Sequence, residues 1–519
     1  VEQRDEADTL PTLGLDQGIT DIETPHFSLS LVTASHTVAA LKPKDANGFD
    51  FTPSDWLERR DHNGYFHLGE LTFRYRISGS VEWRDVSTAD ARAPVDAIPI
   101  SSPMLAAADL AATLPADLPV RVIRYWEIDD GHLALRFELK NPLDAPVEIG
   151  ALGIPMVFNN ILTDRSLDEA HAACSFFDPY IGFDAGYLQV TRLNGRGPTL
   201  VVVPHGQTPF EAYNPLFSDP TRRGHTFEGF YEWMVHSSAY AEDEWSDAEP
   251  WNTPTSATLA PGETRSYGVK FLVSREIRDI ESTLLANDRP VAIGIPGYVL
   301  PMDLEARLFI NHTQAIQSVA VEPAGALAVA DAGANENGWR VYDVQGRQWG
   351  RARMTITYAT GAEQTIHYKV IKPQVQVAAD LGRFLTTEQW FEQPDDPFGR
   401  SPSVISYDYD ERRHVTEDNR AWIAGLGDEG GSGSWLAAFM KQLNSPNIEE
   451  LQKLKRFMDG VLWGGLQYDD GELEYGVRKS LFYYEPDSMP AGTYSDSIEY
   501  GGWSSWNKEH AETVGRSYN

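Results

Sequence analysis

From about residue 25 to residue 271 the chain alternates apolar and polar side chains, segment after segment, and that rhythm limits the folds open to it. Leu71, Phe73, Tyr75 and Ile77 recur at every second position, as do Leu133, Leu135, Phe137 and Leu139. A period of two puts each set on one face of a strand. Turn clusters such as Asp129-Asp130-Gly131 and Asn141-Pro142 separate the segments. One short stretch, 166–173, has helical character. So many strands in series exceed what one open sheet holds without curling or splitting, so the pattern predicts a large two-sheet β-sandwich over 1–273.

Within that run, 225–252 departs from the alternation. It gathers acids with Tyr231, Trp233, His236, Tyr240, Trp245 and Trp251, and it is expected to be a long functional loop or an ordered Ω-loop packed on its own rings. Residues 274–290 form a helical connector, with Ser274 as cap and Ile277, Ile280 and Leu284 as its apolar stripe. Short strands return over 291–373, where Met354, Ile356 and Tyr358 alternate, in the proportions of a small immunoglobulin-like sandwich.

Residues 374–519 change character to helix and polar loop. Trp435, Phe439 and Leu443 line one helix. Ile448, Leu451, Leu454 and Met458 are expected to be the buried stripe of the next, capped by Asn447 with Glu450 or by Ser445 ahead of Pro446. Acidic, glycine-rich loops connect them. Helical hairpins joined in this way predict a helical toroid. Twelve helices need roughly 350 residues, far more than the stretch after 374 holds. The toroid is therefore expected to be incomplete, continued on a missing or separate polypeptide chain.

The last stretch, 503–519, concentrates Trp503, Trp506, Glu509, His510, Glu512, Arg516 and Tyr518. At helical spacing Trp506, Glu509, His510 and Thr513 share a face, setting an aromatic platform beside an acid, which is the equipment of a sugar site. The competing reading makes the tryptophans core and the acids solvated. Composition narrows the partners. With 43 Lys plus Arg against 76 Asp plus Glu, the formal charge of -33 repels nucleic acid and anionic lipid. No apolar run is long enough to span a membrane. The lone Cys174 excludes an intrachain disulfide and CxxC metal or redox sites. The sequon Asn311-His312-Thr313 and the 14 tryptophans and 22 tyrosines fit a secreted protein that handles carbohydrate.

The segment 122–128 (VIRYWEI) followed by 133–141, the connector, and the loops GDEGG (427–431) and SWNKEHAE (505–512) together resemble the six-hairpin glycosidase superfamily. That resemblance implies a mutarotase-like β-supersandwich ahead of an (α/α)6 toroid, with 225–252 roofing a cleft at the toroid's mouth. It also implies a pair of carboxylates working as general acid and base, drawn here from Glu509, Asp428 and Glu429. Trp503, Trp506, Tyr231, Trp233, Trp245 and Trp251 would be substrate platforms, with His510 and Arg516 holding hydroxyls. The expected activity is glycoside hydrolysis of a neutral polysaccharide or oligosaccharide, without a cofactor.

Three alternatives stay open. A polysaccharide lyase would use Asn507, His510, Arg516 and Tyr518 on a uronate, phosphorolysis fits the same layout, and a non-catalytic glycan-binding protein needs the aromatic faces alone. Calcium is conceivable at Asp408 and Asp410 or in the 469–472 cluster, although neither follows the spacing of a dedicated loop.

Overall fold

In the computed structural model, which describes residues 13–44, 46, 48–221, 229–427, 432–500 and 506–515, the alternating segments pair antiparallel into two large sheets. One has eight strands in the order Ser175–Tyr180, Tyr187–Arg192, Thr199–His205, Thr264–Ser274, His132–Lys140, Arg121–Asp129, Met104–Asp109 and Asp96–Ala97. The other runs Ala212–Pro215, Tyr231–His236, Val147–Met156, Thr72–Ile77 and Arg84–Ser87, and Ala257–Leu259 joins it beside Val147–Met156. Phe73, Tyr75, Leu152, Ile154, Trp233 and Val235 of the second sheet share one core with Leu133, Leu135, Phe137, Leu139, Val202 and Phe271 of the first. The predicted β-sandwich is present. The period-two sets supply its interior, and Ile77, at the end of its strand, is 38% exposed.

The 225–252 reading needs correction. Tyr231–His236 is a strand inside the second sheet, followed by the helix Ser238–Glu242. Its alternation is hidden because Glu232 and Met234, on the face away from the core, are buried as well. At 166–173 the helix Leu167–Ala173 carries a capping box from Ser166 and Glu169. In the connector the helix begins later than expected. Ser274 ends a strand, Ile277 is exposed, and Ile280 and Leu284 carry the buried side of Ile280–Ala286.

Two four-stranded sheets follow. Val291–Ile295, Glu305–Asn311, Arg340–Gly346 and Leu327–Ala334 form one, and Val299–Pro301, Glu363–Ile371, Gly350–Tyr358 and Ile316–Glu322 form the other. Their buried faces carry Leu308, Ile310, Val344, Met354, Ile356 and Val370.

The chain divides into two compact units, residues up to 300 with 305–371, and 301–304 with 372–519. In the second unit the helices Gln374–Thr387, Ser432–Asn444 and Ile448–Phe457 surround Leu385, Trp435, Ala438, Leu454 and Phe457. Asn447 is the cap, accepting from the amides of Glu449 and Glu450. Glu450 does not reach back to close a capping box; it accepts from Lys441 Nζ at 2.8 Å and Gln442 Nε2 at 2.7 Å. Of the predicted stripe only Leu454 is buried; Ile448, Leu451 and Met458 are exposed, as is Leu443 of the preceding helix, because these short helices leave their outer faces uncovered.

Candidate functional site

The second large sheet has a polar outer face. Where Phe73 and Tyr75 point into the core, Thr72, Arg74 and Arg76 point out. Asp85 and Ser87 flank Val86, and Glu232 lies between Tyr231 and Trp233. The helix Ser238–Glu242 and the turn after it are strapped over this face. Arg74 donates through Nη1 and Nη2 to Glu244 at 2.7 and 2.5 Å, and through Nε to Asp85. Arg76 bridges Glu148 and Glu242, and Trp83 donates its indole N–H to Glu242. The Arg74 guanidinium lies 3.9 Å from the Tyr240 ring centroid, and Tyr240 stacks on Trp245 at 4.7 Å with the planes 21° apart.

Between strap and sheet lies a groove of about 450 Å³. Thr72, Ser87, Asn214 and Glu232 offer polar atoms, and Phe217, Tyr240 and Trp245 offer rings. Asp85, Asp90, Glu232 and Glu244 face Arg74, the one cation among the described residues lining it. Glu232 is 2% exposed; its Oε1 accepts from Asn214 Nδ2 at 2.7 Å and its Oε2 from the Thr72 hydroxyl. Burial holds this carboxyl above the usual range, outweighing those two hydrogen bonds and the Arg74 charge. Gly153 makes the arrangement possible, because a Cβ there would fall 2.3 Å from Glu232 Oε2. A carboxyl of raised proton affinity beside stacked aromatic rings is suited to proton transfer or to hydrogen-bonding a hydroxyl.

A larger cleft, about 1190 Å³, is lined by His236, Tyr267, Arg265 and Glu263. Here His236 and its neighbours are paired with one another. The Thr255 hydroxyl donates to Glu211, and so accepts from His236 Nδ1–H at 2.8 Å. That leaves Nε2 to accept from the Tyr267 hydroxyl at 3.1 Å. Burial pushes Glu211 up to about 7 and His236 down to about 4. With its donors and acceptors matched internally, this network is a scaffold beneath the sheet edge, and the groove is the better site.

The family model described as "Family of unknown function (DUF5695)" matches residues 30–519. The chain belongs to that family. No curated protein matches its sequence. Among solved structures, polysaccharide lyase BACCELL_00875 superposes with a TM-score of 0.65 at 16% identity, over 88% of this chain and 63% of that one. The DUF5695 chain thus spans less than two thirds of the lyase's length, and the likeness is one of fold. Galactose mutarotase-like proteins from Lactobacillus casei (10% identity, 50% of this chain, 100% of that chain, TM-score 0.31) and Clostridium acetobutylicum (8%, 49%, 94%, 0.32) match more distantly.

The residues picked from the DUF5695 sequence fall in several places. Trp245 lines the groove. Trp233 does not: it is wholly buried, stacked on Phe210 at 3.8 Å, with its indole N–H donated to the Pro209 carbonyl, so it is a core residue and not a platform. Tyr231 points to the same side and stacks on Tyr213, also against the core. Trp251 sits in a different pocket with Arg351 and Lys369. In the second unit Glu509 and His510 are exposed on the short helix Lys508–Glu512, and His510 lies edge-on to Trp506 at 4.7 Å and 3.5 Å from Lys479 Nζ. Asn507, offered for a lyase, is occupied as that helix's cap. Asp428, Glu429, Trp503, Arg516 and Tyr518 lie outside the described residues. Asp408 accepts from the Glu411 amide within its own turn. The sequence reading missed Thr72, Arg74, Asn214 and Glu232. The signal was an acid flanked by aromatic residues, in a strand whose other face is core.

Proposed function

We propose that the chain acts on carbohydrate, as a secreted glycoside hydrolase that binds a neutral glycan in the sheet-face groove. The observation that carries this reading is the pairing of the Tyr240–Trp245 stack with the buried carboxyl of Glu232 on an otherwise polar face. Ring faces cover sugar C–H surfaces while Asn214, Thr72 and Arg74 address hydroxyls. Four acidic side chains against one cation disfavour an anionic substrate. Glu232 is the proposed general acid of the groove, and Glu509, exposed in the second unit, a separate candidate acid or base. Reducing-end release from a panel of neutral polysaccharides tests the reading. Activity abolished in Glu232→Gln and retained in Glu509→Gln supports it, and the reverse transfers the chemistry to the second unit.

A polysaccharide lyase is the second reading, favoured by the fold likeness over 88% of the chain. It predicts an unsaturated, ultraviolet-absorbing product from a uronate polymer, where hydrolysis gives none. We also propose that the uncovered apolar side chains Val375, Met440, Leu443 and Ile448 receive further helical hairpins of a second polypeptide, building a toroid onto the helices Gln374–Thr387, Ser432–Asn444 and Ile448–Phe457. Binding of an apolar fluorescent dye by the chain alone, lost in a Leu443→Lys/Ile448→Lys variant, is the expected result; no dye binding would leave these faces without a role.

A further inference from the structure

The small sandwich carries an arrangement that folding alone does not favour. In the pairing of Gly350–Tyr358 with Glu363–Ile371, Arg351 stands directly opposite Lys369, and Arg353 opposite His367. Ala352 and Met354, between and beyond the arginines, point into the core, so Arg351 and Arg353 share the outer face. Like charges facing across a strand pair destabilise a sheet. Lys369 is exposed and has no acid partner among the described residues. Glu249 lies 3.7 Å from Arg351 and Glu322 pairs with Arg353, so in a protein of net charge -33 it is Lys369 that stands opposite an arginine with no counterion among the described residues.

Aromatic surface stands beside these cations. Trp251 is 44% and Tyr298 38% exposed, and the Arg351 guanidinium lies 4.4 Å from the Trp251 ring centroid. The loop that presents Trp251 is held from below. Arg351 Nη1 donates to the Glu249 carbonyl at 2.5 Å, and Arg353 donates to the Trp251 carbonyl at 3.3 Å and the Thr253 hydroxyl at 3.1 Å. The pocket so formed encloses about 600 Å³, room for one or two sugar rings. Its cations, Arg351, Arg353 and Lys369, outnumber its carboxylates, Glu249 and Glu322. The groove on the large sheet has the opposite balance.

We propose that this face is a binding site for an acidic sugar residue of a glycan, distinct from the groove: Lys369 and Arg351 take the carboxylate, and Trp251 and Tyr298 take the ring. It holds a charged polymer while the groove addresses neutral units. The ligand's carboxylate supplies the counterion that Lys369 lacks opposite Arg351, so binding and sheet stability are coupled.

Isothermal titration with an oligogalacturonate of four residues, its fully methyl-esterified form and inorganic sulfate tests this. The acid form is expected to bind, with affinity falling as salt rises. The ester should bind at least about tenfold more weakly, as should the acid form to Lys369→Gln or Trp251→Ala. Trp245→Ala, in the groove, should leave acid binding unchanged. Lys369→Gln is also expected to melt at the same temperature as the parent or higher, because it removes a repulsion; a lower melting temperature would mean that Lys369 serves the fold. Equal binding of acid and ester, loss of acid binding in Trp245→Ala, or full displacement of the oligosaccharide by sulfate would each overturn the assignment.

Discussion

The Glu211–Thr255–His236–Tyr267 chain holds two buried groups whose protonation opposes folding at opposite ends of one pH window. Glu211 titrates at about 7 in the folded protein against an ordinary 4.5, so its carboxylate is disfavoured by folding. Its contribution to stability is greatest below pH 4.5 and is lost as pH rises to 7. His236 titrates at about 4 against 6.5, so its imidazolium is disfavoured. Its contribution is greatest above pH 6.5 and is lost as pH falls to 4. Each shift corresponds to about 3 kcal/mol across its window. In the parent protein the two slopes nearly cancel, and neither is visible. Single substitutions unmask them. Relative to the parent, Glu211→Gln should gain about 3 kcal/mol between pH 4.5 and pH 8, and His236→Gln should gain a similar amount in the opposite direction, on going from pH 8 to pH 4. Urea unfolding of the three proteins at half-unit pH steps, followed by tryptophan fluorescence, measures both differences. If either difference stays flat to within about 0.5 kcal/mol, that residue is not held in the environment described.

Trp245→Ala removes one ring of the stack in the groove and should weaken a neutral oligosaccharide about tenfold by titration calorimetry; unchanged affinity would place sugar binding elsewhere. Gly153→Ala sets a methyl 2.3 Å from Glu232 Oε2 and 2.6 Å from Thr72 Oγ1, and the overpacking should cost about 1–3 kcal/mol. It should also abolish turnover in the folded protein; a fully active variant would mean that the Glu232–Thr72 contact is dispensable. In the second unit, Lys441→Met strands Glu450, whose side chain is 7% exposed, and should cost about 3–5 kcal/mol, most of it recovered in Lys441→Met/Glu450→Leu. Equal stability of the single and double variants would show that the pair is solvated.

The sequence discloses faces more readily than neighbours, and the errors follow from that difference. Phe73, Tyr75, Leu135 and Phe137 announce a core because their period is a property of one strand and needs no partner to be read. Tyr231–His236 has the same geometry, but its outer face is buried too, under the strap and against Gly153. A strand covered on both sides shows no contrast, so its residues pass for an aromatic loop and Trp233 for a platform. Glu232 is inconspicuous for a related reason. Its raised proton affinity comes from burial beneath a strap that crosses the sheet, which outweighs the hydrogen bonds from Asn214 on one neighbouring strand and Thr72 two strands away on the other side. Of these only the strap is near it in sequence. The Arg351–Lys369 opposition is hidden still further, since it exists only once the register of two strands is fixed; a shift of one residue would pair Arg351 with a residue of the buried face and erase it. Helix Ile448–Phe457 errs the other way. Its stripe reads correctly as apolar, but whether Ile448 is core depends on which helices are present to cover it, and periodicity carries no information about a partner.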